Sequence, residues 1–138
     1  SYGLYGLYEY DESVYVNAVI QVNEEIDINI LNQIDIHVGS RIGNIWTTRI
    51  NISSLNSMVN LPGIDYIQIS MQAISDEGYK TVSQVNVSYD KLVFAVGYLY
   101  AHKKESTKLN VKLMDLGLSE EEKQKFNADF NNICDEAA

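Results

Sequence analysis

Cysteine, proline, histidine and positive charge are all scarce in this chain, and each scarcity excludes something. One cysteine among 138 residues leaves no internal disulfide framework and no cysteine-based metal cluster. Two histidines, His37 and His102, leave little material for acid–base catalysis. Ten Lys and Arg against nineteen Asp and Glu give a net charge of −9, which argues against nucleic acid or an anionic membrane surface as partner. No apolar run approaches the roughly 18 residues of a membrane span. What remains is an ordinary globular composition, 46% apolar and 21% charged, which excludes disorder, collagen and coiled coil. The length fits one domain or two very small ones.

Two excesses stand beside these deficits. Ile occurs fifteen times and Asn thirteen against seven Ala and a single Pro, a skew to which A/T-rich codons contribute. Five of the ten tyrosines fall in the first fifteen residues: Tyr2, Tyr5, Tyr8, Tyr10 and Tyr15. A segment of that kind is either a recognition arm, since Tyr gives large amphipathic contact at low entropy cost, or a strip laid over its own domain. The chain begins with Ser1 rather than Met, as it would after removal of a secretory signal. A secreted or cell-surface location is the corresponding expectation.

Along the chain, Val14 to Val22 is rich in β-branched and aromatic residues between acidic clusters and reads as a strand. Asp27 to Ile34 places Ile26, Ile30 and Ile34 on one helical face, with Leu31 beside them. Ile36 to Ile52 reads as two strands, or as one long strand bent at Gly39 and Gly43, with Trp46, Thr48, Ile50 and Ile52 on a common face. Ser53 and Ser54 supply N-cap material for a second short helix whose apolar face is Leu55, Met58, Val59 and Leu61, and Pro62-Gly63 stops it. Ile64 to Ile69 is again strand. The order so far is β-α-β(β)-α-β.

Beyond it, Asp76-Glu77-Gly78 reads as a turn, and Thr81 to Val87 alternates imperfectly. The run from Leu92 to His102 is apolar throughout, which periodicity alone cannot assign to helix or strand. Its neighbour, Lys108 to Met114, alternates strictly, and the short polar link between them favours a β-hairpin. Ser119 with Glu122 three residues later is a capping box, and Phe126, Phe130, Ile133 and Ala137 then follow helical spacing. Charge is uneven: residues 1–75 hold eight acids and two bases, 76–118 five and six, and 119–138 six and two. The expected core comprises Val16, Ala18, Ile20, Ile30, Ile34, Trp46, Leu55, Val59 and Ile67, with Phe94, Val96, Phe126 and Phe130 in the second half.

No catalytic constellation emerges, and the chain is expected not to be an enzyme. Cys134 stands next to Asp135 and Glu136, which raise a thiol pKa rather than depress it. Neither His37 nor His102 has a second ligand at metal spacing, so no metal or cofactor is expected. Gly39, Gly43 and Gly63 form no phosphate loop. Asn51-Ile52-Ser53 and Asn86-Val87-Ser88 match the glycosylation acceptor pattern, a tripeptide common by chance.

One stretch carries a family pattern. Val38, Gly39, Arg41 and Gly43, then Thr47 to Ile50 with Trp46 before them, Leu55, Leu61-Pro62-Gly63 and Tyr66-Ile67 follow the order of two strands, a helix ending in Leu-Pro-Gly, and a further strand. Over about residues 14–75 the sequence thereby resembles the pro-domains that precede subtilisin-like serine proteases of secreted bacterial origin. The resemblance implies an α+β fold, a ferredoxin-like βαββαβ sandwich with a four-stranded antiparallel sheet and two helices on one face. Here it would be followed by the β-hairpin and the amphipathic C-terminal helix. It implies an inhibitor or intramolecular chaperone that lays its sheet against a serine protease. The segment after the last strand, Met71, Gln72, Ala73, Ile74 and Ser75, would enter the substrate cleft as an added strand. The Asp-x-Gly, His-Gly and Gly-x-Ser motifs of the catalytic domain are absent from Leu92 onward. The expected organisation is a Tyr-rich arm over 1–13, the pro-domain-like module over 14–75, and a hairpin plus helix over 76–138 packed on that module. The alternative is a structural or cell-surface module that binds proteins through the Tyr-rich arm or the hairpin edge.

Overall fold

The computed structural model describes residues 14–83, 87–114 and 117–138. The Tyr-rich arm over 1–13 and Asn86 lie outside the described residues. Among those described, the chain is a mixed α+β fold built on one six-stranded sheet, ordered β2-β3-β1-β4-β5-β6. β1 (Tyr15–Val22) occupies the middle, antiparallel to both β3 (Ile45–Asn51) and β4 (Ile64–Met71). β2 (Ile36–Ile42) pairs antiparallel with β3 at one edge. Beyond β4, β5 (Lys108–Leu113) and the two-residue β6 (Glu136–Ala137) are added in parallel. The expectation of a four-stranded, wholly antiparallel sheet is therefore corrected.

The hairpin expected from Leu92 to Met114 is corrected as well. Tyr89–His102 is helix α3, which buries Tyr89, Leu92, Ala95, Val96 and Leu99. Ser88 caps it, its side chain accepting from the Lys91 N–H. The physical reason is topological. β5 runs parallel to β4, and parallel neighbours need a crossover of a dozen or more residues, usually a helix. A hairpin would have made β5 antiparallel to the segment before it. A second helix, α2 (Asp76–Ser83), replaces the turn expected at Asp76-Glu77-Gly78. Those acids occupy its first turn, where the helix dipole favours negative charge, and Ser75 Oγ accepts from the Gly78 N–H at 2.9 Å.

The earlier elements keep their places with altered ends. The first helix, α1, is Ile28–Gln33, capped by Asp27 accepting from the Asn29 N–H. The second is a 3-10 helix over Ile52–Asn60, capped by Asn51 rather than by Ser53 or Ser54. Gly43 makes the β2–β3 turn at φ 59°, whereas Gly39 lies within β2, where the register shifts between Val38 and Arg41. Gly63, at φ 88°, brings its backbone so close to Ile26 that an added Cβ would lie 2.4 Å from the Ile26 nitrogen. Helix α4 (Glu120–Phe130) carries the capping box in full, with Ser119 N–H donating to Glu122 at 3.0 Å and Glu122 N–H to Ser119 Oγ at 3.2 Å. It stops at Phe130, short of the expected Ala137, which belongs to β6.

One continuous apolar cluster unites the strands with the helices. Val16, Ala18, Ile20 and Val22 of β1 and Trp46 and Ile50 of β3 contribute to it, as do Ile67, Ile69 and Met71 of β4 and Leu109 and Val111 of β5. Leu31, Leu55, Leu92, Leu99, Phe126 and Phe130 join them from the helical side. Of the expected core, Ile34 and Val59 are half-buried at its margin. Ile30 and Phe94 are not core residues, and Phe94 is 71% exposed. Phe94 shares a face with Leu92 and Val96 only in a strand; helical geometry turns it outward.

Candidate functional site: the open face of the sheet

Strand geometry sends alternate side chains to opposite faces, and among the described residues only one face is covered. The other row is formed by Asn17, Val19 and Gln21 of β1, Ile45, Thr47 and Arg49 of β3, Tyr66, Gln68 and Ser70 of β4, and Lys108, Asn110 and Lys112 of β5. None of these is buried. Register aligns them across the strands. Asn17 stands opposite Arg49 and Ser70, and Val19 opposite Thr47 and Gln68. Ser70 then stands beside Lys112, and Tyr66 beside Lys108. The face is mostly polar and carries charge of both signs: exposed Glu136 of β6 stands in register with Asn110, between Lys108 and Lys112, and the Asp35 carboxylate reaches Tyr15 and His37 at its edge. Arg49, Lys108 and Lys112 form no ion pair among the described residues, whereas on the helical side Lys103 pairs with Asp135 and Lys125 with Asp129. Tyr66 donates to Gln68 at 2.9 Å and accepts from Asn110 at 3.3 Å, which fixes its ring.

Toward β2 this face dips into a depression of about 380 Å³ lined by Asn17, Val19, His37, Gly39, Thr47, Arg49 and Ser70, among others. Its rim is held by a clamp on Asp35, the residue just before β2. The Asp35 carboxylate accepts from the Tyr15 hydroxyl at 2.8 and 3.0 Å, meets His37 Nε2 at 2.6 Å, and accepts from Asn51 Nδ2 at 3.0 Å. Those three partners come from β1, β2 and β3. Asp35 itself is at φ 63°, a left-handed conformation unusual for a residue with a side chain. Its carboxyl is held below the usual carboxylate range by the Tyr15 hydrogen bond first and the His37 bond second. The Tyr15 hydroxyl is pushed up by the same bond and then by burial. Arg49 lies over the Tyr15 ring, 4.7 Å from its centre, and His37 meets that ring edge-on at 5.6 Å. The arrangement positions a guanidinium at the lip of the depression. Among the described residues no Ser, Thr or Cys side chain is hydrogen-bonded to His37, so Asp35 and His37 orient no nucleophile there.

The segment expected to enter a protease cleft lies elsewhere. Met71, Ala73 and Ile74 are buried, and Gln72 and Ser75 are half-buried. Met71 O accepts from the Met114 N–H at 2.8 Å, the Gln72 N–H donates to the Tyr79 hydroxyl oxygen at 3.2 Å, and Ile74 O accepts from Lys125 at 2.8 Å. Residues 71–75 are thus strapped between α2 and α4. Of the family-pattern positions, Gly43, Pro62 and Gly63 shape turns, and Trp46 packs into the core with its Nε1–H donating to Gly43 O at 3.2 Å. Arg41 stacks over the Trp46 ring at 5.5 Å. Val38, Gly39, Thr47, Thr48 and Arg49 border the depression.

The other candidate groups are occupied. The Cys134 thiol is buried, is pushed up by desolvation and then by Asp135 and Glu136, and donates to Phe130 O. His102 Nδ1 is 2.9 Å from Tyr98 O. Asn51 is buried within the Asp35 clamp and is not a surface acceptor for a glycan. The open face was missed in the sequence reading, although the signal was present: Asn17, Val19 and Gln21, and again Lys108, Asn110 and Lys112, are the polar phase of alternating strands. No family model matches this chain, and no curated protein or solved structure matches it either.

Proposed function

We propose that this chain is a non-catalytic protein that acts by binding another protein on the open face of its sheet. The observation that carries this reading is the face itself: four adjacent strands whose outward side chains are left uncovered by the described residues while the opposite side is packed by helices. A rigid, hydrogen-bonded sheet presents such a surface with little ordering cost on binding. The first four strands, ordered β2-β3-β1-β4 and antiparallel, with α1 after β1 and the 3-10 helix after β3, support reading residues 14–75 as a ferredoxin-like βαββαβ unit extended by two parallel strands.

The resemblance to protease pro-domains gives the reading a specific form, a secreted inhibitor or folding chaperone of a subtilisin-like serine protease. The open face supplies the surface that such a domain lays against its enzyme. Burial of Met71, Ala73 and Ile74 makes docking by the face, rather than insertion of 71–75, the mode of contact. The test has two parts. Hydrolysis of a peptide substrate by subtilisin is followed with and without the chain, and an unchanged rate at high protein concentration ends the protease form. Hydrogen–deuterium exchange is then compared for the chain alone and with a captured secreted-fraction protein. Protection is expected in β1, β3, β4 and β5, and protection confined to α3 and α4 would end the broader reading.

A further inference from the structure

We propose that a groove on the helical side of the molecule, between α3 and the 3-10 helix, is the seat of this chain's own Tyr-rich arm. Side chains of the Tyr-Gly-Leu run over residues 2–8 pack there against Phe94. This docking is independent of the open face, which lies on the other side of the sheet. The groove encloses about 430 Å³ and is lined by Ile52, Asn56, Lys91, Phe94 and Ala95, among others. Ile52 and Ala95 are buried, whereas Phe94 is 71% exposed. A single exposed ring is ordinary on a protein surface. Here the ring borders an apolar groove at the point where an aromatic segment leaves the fold, and that conjunction names the occupant.

The point of exit comes first. Val14, where the described chain begins, is buried, and its carbonyl accepts from the Ile52 N–H at 3.1 Å. Val14 also borders a small depression together with Val87, two residues before α3 begins at Tyr89. Ile52 and the first turns of α3 are walls of the groove itself, so the arm emerges at its end. Length agrees with this. Residues 9–13 link the Tyr-Gly-Leu run to Val14 and reach at most about 17 Å when extended. Asp90 and Phe94 are only about 6 Å apart along the helix axis. A link this short holds the run at an effective concentration in the millimolar range, which favours it over a separate peptide. Chemistry agrees as well. Residues 1–8 carry no charged side chain, and Tyr2, Leu4, Tyr5, Leu7 and Tyr8 supply five large side chains spaced by Gly3 and Gly6. A Tyr ring packs edge-on or offset against another ring and leaves its hydroxyl at water. That suits a groove in which Ser53, Asn56 and Lys91 are exposed around buried Ile52 and Ala95. The open face, whose outward rows are mostly polar, offers such a segment less. Docked in the groove, the arm leaves that face free for a partner.

The test uses the full chain with Ser1→Cys carrying a nitroxide label; Cys134 is buried and does not compete for the reagent. Paramagnetic broadening of amide signals is expected at Ile52, Ser53, Phe94 and Ala95, and not at Asn17, Gln68 or Ser70 on the open face. Most of that broadening is expected to be lost with Phe94→Ala, and again with Leu4→Ser and Leu7→Ser together. Phe94 is exposed, so its variant keeps the fold, which the dispersion of the amide spectrum checks. Docking of a tethered segment is a local event that denaturant reverses before the global transition, so it is read in these contacts rather than in a melt. Mixing the labelled chain with an isotope-enriched, unlabelled one separates a chain's own arm from its neighbour's, and no broadening is expected to pass between them. Broadening centred on the open face, broadening spread evenly over the surface, transfer between chains in the mixture, or indifference to both sets of substitutions overturns the proposal. Binding at the open face is read separately, from the exchange protection of β1, β3, β4 and β5.

Discussion

Asp35 shows how much a single side chain organises at the edge of the open face. Its carboxylate joins Tyr15, His37 and Asn51, hence three strands, and compensates the left-handed backbone that it sits on. Because its folded pKa is held below the ordinary value of about 3.9, the stabilisation is complete above that value and is lost as pH falls through the folded one. Tyr15 acts in the opposite window. Its raised pKa means a contribution present below about pH 10 and lost as pH climbs through the folded value. Asp35→Asn is therefore expected to lower the urea midpoint at neutral pH, with the difference from the parent narrowing as pH falls through the lowered folded value. A difference that did not change with falling pH would show that shape, not charge, makes the clamp. Nothing in the sequence around Asp35 marks it, since its three partners are 20, 2 and 16 positions away.

At the scale of elements, α3 is where local pattern and fold part company. The run from Leu92 to His102 is apolar on every side, so neither period is visible in it. Only the parallel placement of β5 beside β4 requires a crossover there. The helix buries Leu92, Val96 and Leu99 and turns Phe94 and Tyr98 to solvent, a pattern no strand produces. Leu92→Ala is accordingly expected to cost about 2–5 kcal/mol, while Phe94→Ala is expected to stay within about 0.5 kcal/mol. Thermal or denaturant melts of the two variants check this, and equal losses would favour a strand. By contrast, α4 was legible from its own residues: the capping box at Ser119 and Glu122 and the spacing of Phe126 and Phe130 are local signals, and each does in space what its position implies. The turn at Gly43 and the stop at Gly63 were legible for the same reason, because positive φ is a property of single residues.

For the whole molecule, the sheet crosses the boundary at which the family resemblance ends. β4 is bonded to β1 on one side and to β5 on the other, over Tyr66 to Met71, and α3 packs on the 3-10 helix. A fragment of residues 14–75 would leave β4 as a bare edge and uncover Ile67, Ile69 and Met71, which the complete chain buries. Its amide proton spectrum is expected to lack the dispersion of the full chain; a well-dispersed spectrum would show that the first module folds alone. By itself the sequence determined the scarce-cysteine, acidic and globular character of the chain. It also determined the succession of elements up to β4, the start of α4, and most of the buried positions on β1 and β3, because composition, alternation and caps are read over a few residues. Tertiary structure alone decided that 89–102 is helix, that β5 and β6 extend the sheet in parallel, and that 71–75 is strapped down. It also decided that the cations of β3 and β5 share one uncovered face. Those outcomes depend on which strands become neighbours, and pairing between distant segments is fixed by packing of the whole core rather than by any local run of residues.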